Sequence, residues 1–307
     1  MAKISAVVNT YNEEKKLSRA LSSLKGFASE IVVVDMMSTD KTREIAKKYN
    51  ARVFKHRKIS YVEPARNFAI EKAKYDWVFI LDADEEIPDA LKIYLKKEIK
   101  SANRWTAPNF YRIPRRNIIF GKWMKHAGWW PDYNIRFFKR GTVSWNEIIH
   151  SVPATSGKGI DIPSNGELGI KHRHYSSLEE YMTRMNRYTT IQARQLNKKG
   201  VDFSWKDLIT KPTAEFLRRY FAEEGFKDGL HGLNLSLLQA FSEVVLYSKL
   251  WQKQDFKKRK IDVRDVEETI IKSYKDFSWW IITSKISIST KLINKLWLKI
   301  KRKLKYQ

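Results

Sequence analysis

The sequence predicts an α/β fold in which a mostly parallel sheet is flanked by helices and followed by a helical, basic C-terminal extension. Short apolar runs alternate with segments of helical spacing through the first 100 residues. Acidic residues directly follow two of these runs, whereas residues 277–307 contain eight Lys or Arg and no acid. Alternation of strand and helix signals is typical of parallel sheets covered on both faces.

The elements of the first 100 residues can be justified in order. Short runs of β-branched or apolar residues predict strands, and a continuous apolar run such as 31–34 predicts a strand buried on both faces. Apolar residues recurring every three or four positions predict helices. The predicted strands are 4–8, 31–34, 52–54 and 77–81. The predicted helices between them are 12–24, 42–49 and 64–74.

The character of the chain changes after residue 100. Residues 104–175 are rich in aromatics, Arg, Gly and Pro, with β-like pieces at 111–114 and 134–138. Helical spacing then dominates at 177–198, 206–223 and 229–251, and a charged stretch, 253–260, precedes the tail. We therefore expect a first domain at 1–175, a helical region at 176–252 and a basic amphipathic tail at 253–307.

Composition narrows the classes of function. The net charge of +25 in 307 residues indicates an anionic partner such as nucleic acid, phospholipid headgroups or a phosphorylated substrate. The absence of cysteine excludes disulfides and thiolate metal sites. Neither a Gly-x-Gly-x-x-Gly turn nor a Gly-Lys-Ser/Thr phosphate loop occurs, which argues against dinucleotide-binding and P-loop proteins.

Neither a signal peptide nor a spanning helix is predicted. The apolar stretch at the N-terminus is too short for a secretory signal, and no uncharged apolar run reaches the roughly 18–20 residues of a spanning helix. We therefore expect a protein that stays in the cytoplasm and associates with the membrane surface.

The tail has the pattern of an amphipathic helix. Apolar residues recur at spacings of three, four or seven, and basic residues form a separate stripe. Such a helix suits a membrane interface, and residues 277–307 are predicted to contact an anionic membrane surface. Packing on the chain's own domain is the alternative; a nucleic-acid arm ranks lower because no recognition motif accompanies the charge. The apolar stripe is Ile282, Ile286, Ile293, Trp297, Ile300 and Leu304, and the basic stripe is Lys291, Lys295, Lys299 and Arg302.

The acids after the strands form the strongest chemical signal. Asp82 and Asp84, with Ala83 between them, follow the run 77–81, and Asp35 follows the run 31–34. The carboxyl ends of parallel strands meet at one edge of the sheet, where open α/β sheets bind ligands. Carboxylates two residues apart suit Mg²⁺ or Mn²⁺ that also holds phosphate oxygens. A solvated acidic turn is the alternative.

Several segments taken together resemble the family 2 glycosyltransferases, and the later ones resemble the branch of lipopolysaccharide-core β-glucosyltransferases. The resemblance covers about residues 3–252 and leaves the tail out. The first group is VVNTYNEE at 7–14, IVVVD at 31–35, STDKT at 38–42, ARNFA at 65–69 and LDADE at 81–85. The second group is RIPRRN at 112–117, GWWPD at 128–132, RFFKRG at 136–141, NRY at 186–188 and GFKDG at 225–229.

The resemblance implies a GT-A fold, that of nucleotide-diphospho-sugar transferases, and transfer of a sugar from such a donor. Residues 1–100 then correspond to the nucleotide-sugar half of the domain and residues 101–175 to the acceptor half. We expect UDP-sugar to contact side chains at the ends of the first, second and fourth strands, together with one arginine. These residues are Thr10, Asn12, Glu13, Asp35, Arg66, Asp82 and Ala83.

The metal is expected to be Mn²⁺ or Mg²⁺ held by Asp82 and Asp84. His150 is the candidate for a third ligand, because imidazole serves Mn²⁺, with a plain loop histidine as the alternative. His172 and His174 are weaker candidates and are interpreted as structural. The His-Glu pair usual in the family is His150-Ser151 here, so no role is assigned to the missing acid.

Inversion at the anomeric carbon requires a base near the acceptor hydroxyl. Asp132 is the first candidate, with a structural aspartate paired with Arg136 as the alternative, and Glu147 is the second. Trp129 and Trp130 offer flat faces on which a sugar can stack. Together with Arg136 they are expected to bind the acceptor.

The sequence therefore predicts an inverting, metal-dependent hexosyltransferase on the cytoplasmic face of the membrane. The donor is expected to be UDP-glucose or another UDP-hexose, and the acceptor a lipid-linked or lipopolysaccharide-type saccharide. Transfer to polyprenyl phosphate is the alternative within enzymes. A non-catalytic module that binds anionic lipid or nucleic acid is the alternative outside them. We expect no nucleic-acid partner, because phosphate binders gain affinity from Lys and Arg and not from carboxylate pairs.

Overall fold

The computed structural model describes residues 3–58, 63–101, 108–145, 153–290 and 292–305. The chain divides into two compact units: Met1–Ile119 with Trp130–His174, and Phe120–Trp129 with Tyr175–Gln307. The three-part division at residues 175 and 252 stays a prediction.

Strands and helices alternate through the first hundred residues, as predicted. The described strands are β1 (Ile4–Thr10), β2 (Glu30–Asp35), β3 (Arg52–Lys55), β4 (Trp77–Ile80), β5 (Glu85–Glu86), β6 (Phe110–Ile119), β7 (Lys122–Trp123), β8 (Asp132–Lys139), β9 (Val143–Ser144), β10 (Ala154–Thr155), β11 (Gly159–Asp161) and β12 (Ile170–Tyr175). The described α-helices are α1 (Leu17–Ser23), α2 (Thr42–Lys48), α3 (Glu63–Glu71), α4 (Asp89–Ser101), α5 (Leu178–Lys198), α6 (Asp207–Leu217), α7 (Leu230–Lys253), α8 (Val263–Ile288) and α9 (Leu292–Lys305).

The main sheet joins a parallel part to an antiparallel part. Its described strands lie in the order β3-β2-β1-β4-β8-β6-β12-β5. The first four are parallel to one another, whereas β8 runs antiparallel to both β4 and β6. The predicted strands 4–8, 31–34, 52–54 and 77–81 are all confirmed as members of the parallel part.

Helices cover both faces of this sheet, which explains why its strands are apolar without alternation. On β1, Ala6 and Val8 point into a core with Leu21 of α1 and Leu91 of α4. Val7, between them, points to the opposite face. Successive side chains of a strand alternate between faces, so strands buried on both sides must be apolar at every position.

The second unit is mainly helical, with differences from prediction at two places. The predicted helix 206–223 is α-helical only to Leu217 and continues as the π-helical turn Arg218–Ala222. The tail contains two helices, because α8 ends at Ile288 and α9 begins at Leu292. The predicted apolar stripe is therefore wrong as one surface: Ile282 is buried on α8. Within the described ranges, none of the helices combines the length and apolar character needed to cross a bilayer.

A buried ion pair ties the antiparallel part of the sheet to the turn after β4. Arg136 of β8 is 1% exposed and Glu85 of β5 is 0% exposed. Their Nη2 and Oε1 atoms lie 2.6 Å apart. A charge removed from water in this way is tolerated only while its partner stays in place.

We predict that Arg136→Met lowers the free energy of unfolding by about 3–5 kcal/mol, because it leaves Glu85 charged and buried without this partner. Arg112→Met is the matched control, since Arg112 pairs with Asp161 at an exposed site where such pairs contribute about 0–1 kcal/mol. Urea unfolding followed by circular dichroism measures both. Equal losses in the two variants would contradict the role given to the buried pair.

Candidate active site

Asp35, Asp82 and Asp84 lie at one edge of the sheet, as predicted. Thr10, the last residue of β1, is paired with Asp35, the last residue of β2. Beyond β4, the Leu81 N–H donates to the Val7 carbonyl at 3.0 Å, which keeps the chain beside β1 until it reaches Asp82. The carboxyl ends of β1, β2 and β4 therefore lie together at one edge of the sheet, which we call the rim.

The loops after β1 and β2 hold each other through side chains. Both carboxylate oxygens of Asp35 accept the Ser38 N–H, at 3.2 and 3.3 Å. Ser38 Oγ accepts the Asn12 N–H at 2.9 Å, and Asn12 Oδ1 accepts the Thr39 N–H at 2.8 Å. Asp35 is fully buried, so in this conformation it shapes the loop rather than facing a nucleotide.

Two buried acceptors at the end of β1 lack a partner among the described residues. They are Asn9 Oδ1 and Thr10 Oγ1. Buried polar atoms are normally satisfied, so such atoms at the mouth of a site suit a ligand that donates hydrogen bonds. Glu13 lies just beyond them, and its N–H donates to Thr42 Oγ1 at 2.8 Å.

Asp82 lies between two arginines. Arg66 Nη2 is 2.9 Å from Asp82 Oδ1, and Arg136 Nη2 is 2.5 Å from Asp82 Oδ2. Burial raises the pKa of Asp82, but the positive charges of Arg136 and Arg66 outweigh it and hold that pKa far below its usual range. Asp82 is therefore ionised, and Ala83 after it is buried.

The ion pairs continue from Asp82 to Asp132. Glu85 Oε2 accepts the Asp82 N–H at 3.0 Å, and its Oε1 meets Arg136 and, at 3.4 Å, Arg115 Nη1. Arg115 Nη2 then lies 2.6 Å from Asp132 Oδ2. Acids and arginines alternate along this line, which keeps each charge next to an opposite one.

The two oxygens of Asp132 have different surroundings. Oδ2 accepts hydrogen bonds from Arg115, at 2.9 and 2.6 Å, and from Asn117 at 3.0 Å. Oδ1 accepts one from Asn134 at 3.0 Å. Burial raises the pKa of Asp132, but Arg115 and Asn117 outweigh it, so the pKa lies below its usual value. Asp132 is ionised at neutral pH and pairs with Arg115, not with Arg136.

Asn117 connects Asp132 to a histidine. Its amide donates to Asp132, so its Oδ1 must accept from His172 Nδ1, at 2.6 Å. That places a proton on Nδ1, so that the neutral form of the imidazole carries its lone pair on Nε2. His172 Nε2 lies 3.6 Å from Asp84 Oδ1. The carboxylate of Asp84 and the Nε2 atom of His172 are thus placed side by side.

These donors fit a divalent cation in part. Asp84 and His172 are of the types that Mn²⁺ accepts, and the hydrogen bond to Asn117 is the kind of support that orients a ligating imidazole. The described residues contain no cluster of three or more carboxylate or imidazole groups suited to a metal. Both carboxylate oxygens of Asp82 are paired with arginines. Asp84 is therefore better placed than Asp82 to bind a cation directly.

The residues expected to bind the acceptor are placed differently from one another. Arg136 is buried in the ion-pair line and does not present its guanidinium to a substrate. Trp129, in the second unit, is largely buried, with the Arg219 guanidinium 5.2 Å from its ring centre. Trp130, in the first unit, is half-buried and closely approaches Gly169.

Two further predicted residues lie outside the described residues. Glu147, the second candidate base, and His150, the candidate third ligand, both fall within 146–152. Their assignments stay predictions.

Sequence reasoning did not single out Arg115 and Asn117 as site residues, and it interpreted His172 as structural. A signal was present, since Arg115 and Asn117 are two residues apart in a β-like segment and so share a face. Arg115 is the direct cross-strand partner of Asp132. That contact depends on the register in which β6 pairs with β8, and local sequence patterns do not specify this register.

Similar proteins identify the family. The family model "Glycosyl transferase family 2" matches residues 5–156. An uncharacterized glycosyltransferase of Rickettsia typhi is 32% identical over 264 residues, which are 81% of this chain and 87% of the relative. The lipopolysaccharide core biosynthesis glycosyltransferase LpsC of Rhizobium meliloti is 27% identical over 270 residues, covering 83% of this chain and 94% of LpsC.

A solved structure also matches over much of the chain. The crystal structure of S. aureus TarS 1-349 in complex with UDP-GlcNAc covers 85% of this chain and 94% of its own, with a TM-score of 0.44 and 16% identity. The family follows from the sequence relatives, which are covered over most of their length. With its α/β sheet of GT-A type, the chain belongs to the family 2 glycosyltransferases.

Proposed function

We propose that the protein is an inverting hexosyltransferase that uses a UDP-sugar, with UDP-glucose the first choice, to extend a lipopolysaccharide-type or other lipid-linked saccharide. The observation that carries this proposal is the placement of Asp82, Asp84, His172 and Asp132 on one ion-pair and hydrogen-bond line at the rim of the sheet. This arrangement supports the proposal because it would supply both a place for a diphosphate and an ionised carboxylate for the acceptor.

The nucleotide would lie at the ends of β1 and β2. Asn9 Oδ1 and Thr10 Oγ1 are buried acceptors without partners among the described residues, suited to N–H or O–H groups of a uridine. Asn12 and Glu13 border the same rim. Asp35 would support this surface by holding the Ser38 loop, and it would contact the nucleotide only if that loop rearranged.

The diphosphate would lie beside Arg66 and Asp84. Arg66 is held toward the rim by Asp82, so its positive charge is preorganised for phosphate oxygens. Asp84 and His172 would hold Mn²⁺ or Mg²⁺, which when bound neutralises negative charge on the departing diphosphate. Asp82 would act by fixing Arg66 and Arg136.

Asp132 would accept the proton of the acceptor hydroxyl. Its Oδ2 is occupied by Arg115 and Asn117, whereas Oδ1 has capacity for one more hydrogen bond. Arg115 and Asn117 aim the carboxylate and keep it ionised. Trp130 is the aromatic residue of the first unit best placed in sequence to stack on the acceptor sugar, as it lies two residues before Asp132.

The acceptor class is proposed from the relationship to LpsC, whose name places it in lipopolysaccharide core biosynthesis. A lipid-linked acceptor would locate the reaction at the cytoplasmic face of the cell membrane. Purified protein should transfer labelled glucose from UDP-glucose to a truncated lipopolysaccharide core. Transfer to polyprenyl phosphate alone, with none to core saccharide, would overturn this choice of acceptor.

We predict that Asp84→Asn abolishes Mn²⁺-dependent binding of UDP, because the cation loses its charged ligand. Asn117→Leu should weaken this binding by about 10–100-fold, since the imidazole of His172 loses the partner that orients it. Isothermal titration calorimetry measures both. The control is Asp161→Asn, which alters an exposed acid of β11 and should leave the binding unchanged. Undiminished binding in Asp84→Asn would remove the cation from this site.

We predict that Asp132→Asn lowers kcat by about 10²–10⁴-fold while UDP binding is preserved, because the amide cannot accept the proton. In the wild type this base is lost only as the pH falls through the lowered pKa of Asp132, so its loss should not reduce the rate near neutral pH. Steady-state kinetics together with urea unfolding separate the roles. A fall in stability with kcat unchanged would show that Asp132 is structural.

A further inference from the structure

Helix α9 carries an apolar stripe that faces away from its neighbour. Ile293, Leu296, Trp297 and Ile300 are exposed, Ile293 by 81% and Trp297 by 58%. At about 100° per residue, these four positions fall within an arc of about 100° on one side of the helix. Large apolar side chains clustered in this way on a surface mark an interaction site.

The opposite side of α9 packs on α8. Arg302 Nη1 donates to Thr283 Oγ1 at 3.0 Å, and its guanidinium lies 5.3 Å from the ring centre of Trp279. Lys295 and Leu298, on the same side as Arg302, are half-buried. The basic stripe expected from sequence is therefore split, because Lys295 and Arg302 belong to the packed side. The apolar stripe cannot be turned inward without breaking these contacts.

Lysines flank the exposed stripe on both sides. Lys301 lies on one side, with its Nζ 5.0 Å from the ring centre of Trp297. Lys299 and Lys303 lie on the other, and α9 contains no acid. An apolar stripe bordered by cations is complementary to a partner with an apolar interior and negative charges at its surface.

We propose that α9 docks flat on an anionic lipid bilayer, with the stripe inserted at the level of the headgroups and the flanking lysines on lipid phosphates. A helix with this division lies in the plane of the interface, and each lysine near an anionic leaflet adds attraction. A second copy of the chain is a poorer occupant, because its identical cations would repel. This inference is independent of the proposed reaction, since docking needs neither donor nor acceptor.

Co-sedimentation of the full chain with vesicles tests the docking. Binding is expected to vesicles of phosphatidylcholine mixed with phosphatidylglycerol, and it should weaken with salt and with phosphatidylcholine alone. Lys299, Lys301 and Lys303→Glu together should weaken it by at least about 100-fold. Trp297→Ser with Ile300→Ser should weaken it by at least about tenfold, since two apolar side chains no longer leave water.

Each variant has a matched control with a change of the same kind elsewhere. For charge the control is Lys25, Lys47 and Lys48→Glu, all exposed in the first unit. The control for Trp297→Ser with Ile300→Ser is Leu237→Ser with Phe241→Ser, which removes two apolar side chains exposed on α7. Both controls should bind vesicles like the wild type, and circular dichroism checks the fold.

Three outcomes would overturn the proposal. The first is an equal loss of vesicle binding in the α9 variants and in their controls. The second is a concentration-dependent dimer that is abolished by Trp297→Ser with Ile300→Ser. The third is salt-sensitive binding of RNA without binding to vesicles. Transfer to a soluble core saccharide by the α9 variants should remain at wild-type rate. Failure of docking is thereby distinguished from failure of the proposed reaction.

Discussion

The burial of Arg136 is the constraint from which the candidate site follows. One nitrogen of this guanidinium contacts both Asp82 and Glu85, and the side chain has almost no exposure to water. A charge in that position is stable only if both acids stay beside it. The turn after β4 is thereby held against β8, so the fold and the position of the acids at the rim depend on the same contacts.

This constraint separates the roles of two acids that look equivalent in sequence. Asp82 is held by Arg66 and Arg136, whose charges keep it ionised. Asp84, two residues later, lies beside the imidazole of His172. Asp82 and Asp84 lie in a turn and not on an extended strand, so their side chains need not share a face. Here Asp82 faces two arginines and Asp84 faces an imidazole. The first therefore suits positioning and the second suits metal binding.

The parallel part of the fold could be predicted from sequence because its signals are local. Apolar runs predicted β1 to β4, and acids directly after the runs 31–34 and 77–81 had to reach one edge of the sheet. Asn117 and His172 could not be placed, because their contact crosses strands 55 positions apart in the chain. The tail was misjudged for a related reason: helical spacing ran on through the break between α8 and α9, and only packing shows which side of α9 remains exposed.

The line of contacts also couples Asp132, the candidate base, to His172 and Asp84, the candidate metal ligands. Asn117 can donate to Asp132 only if its oxygen faces His172, and that oxygen then requires the proton on Nδ1. Asp132 thus orients the amide so that His172 carries a proton on Nδ1 and directs its Nε2 atom toward Asp84. A proton accepted on Oδ1 would leave Oδ2 as the acceptor of the Asn117 amide, so the orientation of the amide and of the imidazole is kept. A single amide therefore orients both the candidate base and the histidine proposed as a metal ligand, so the positions of the two side chains depend on each other.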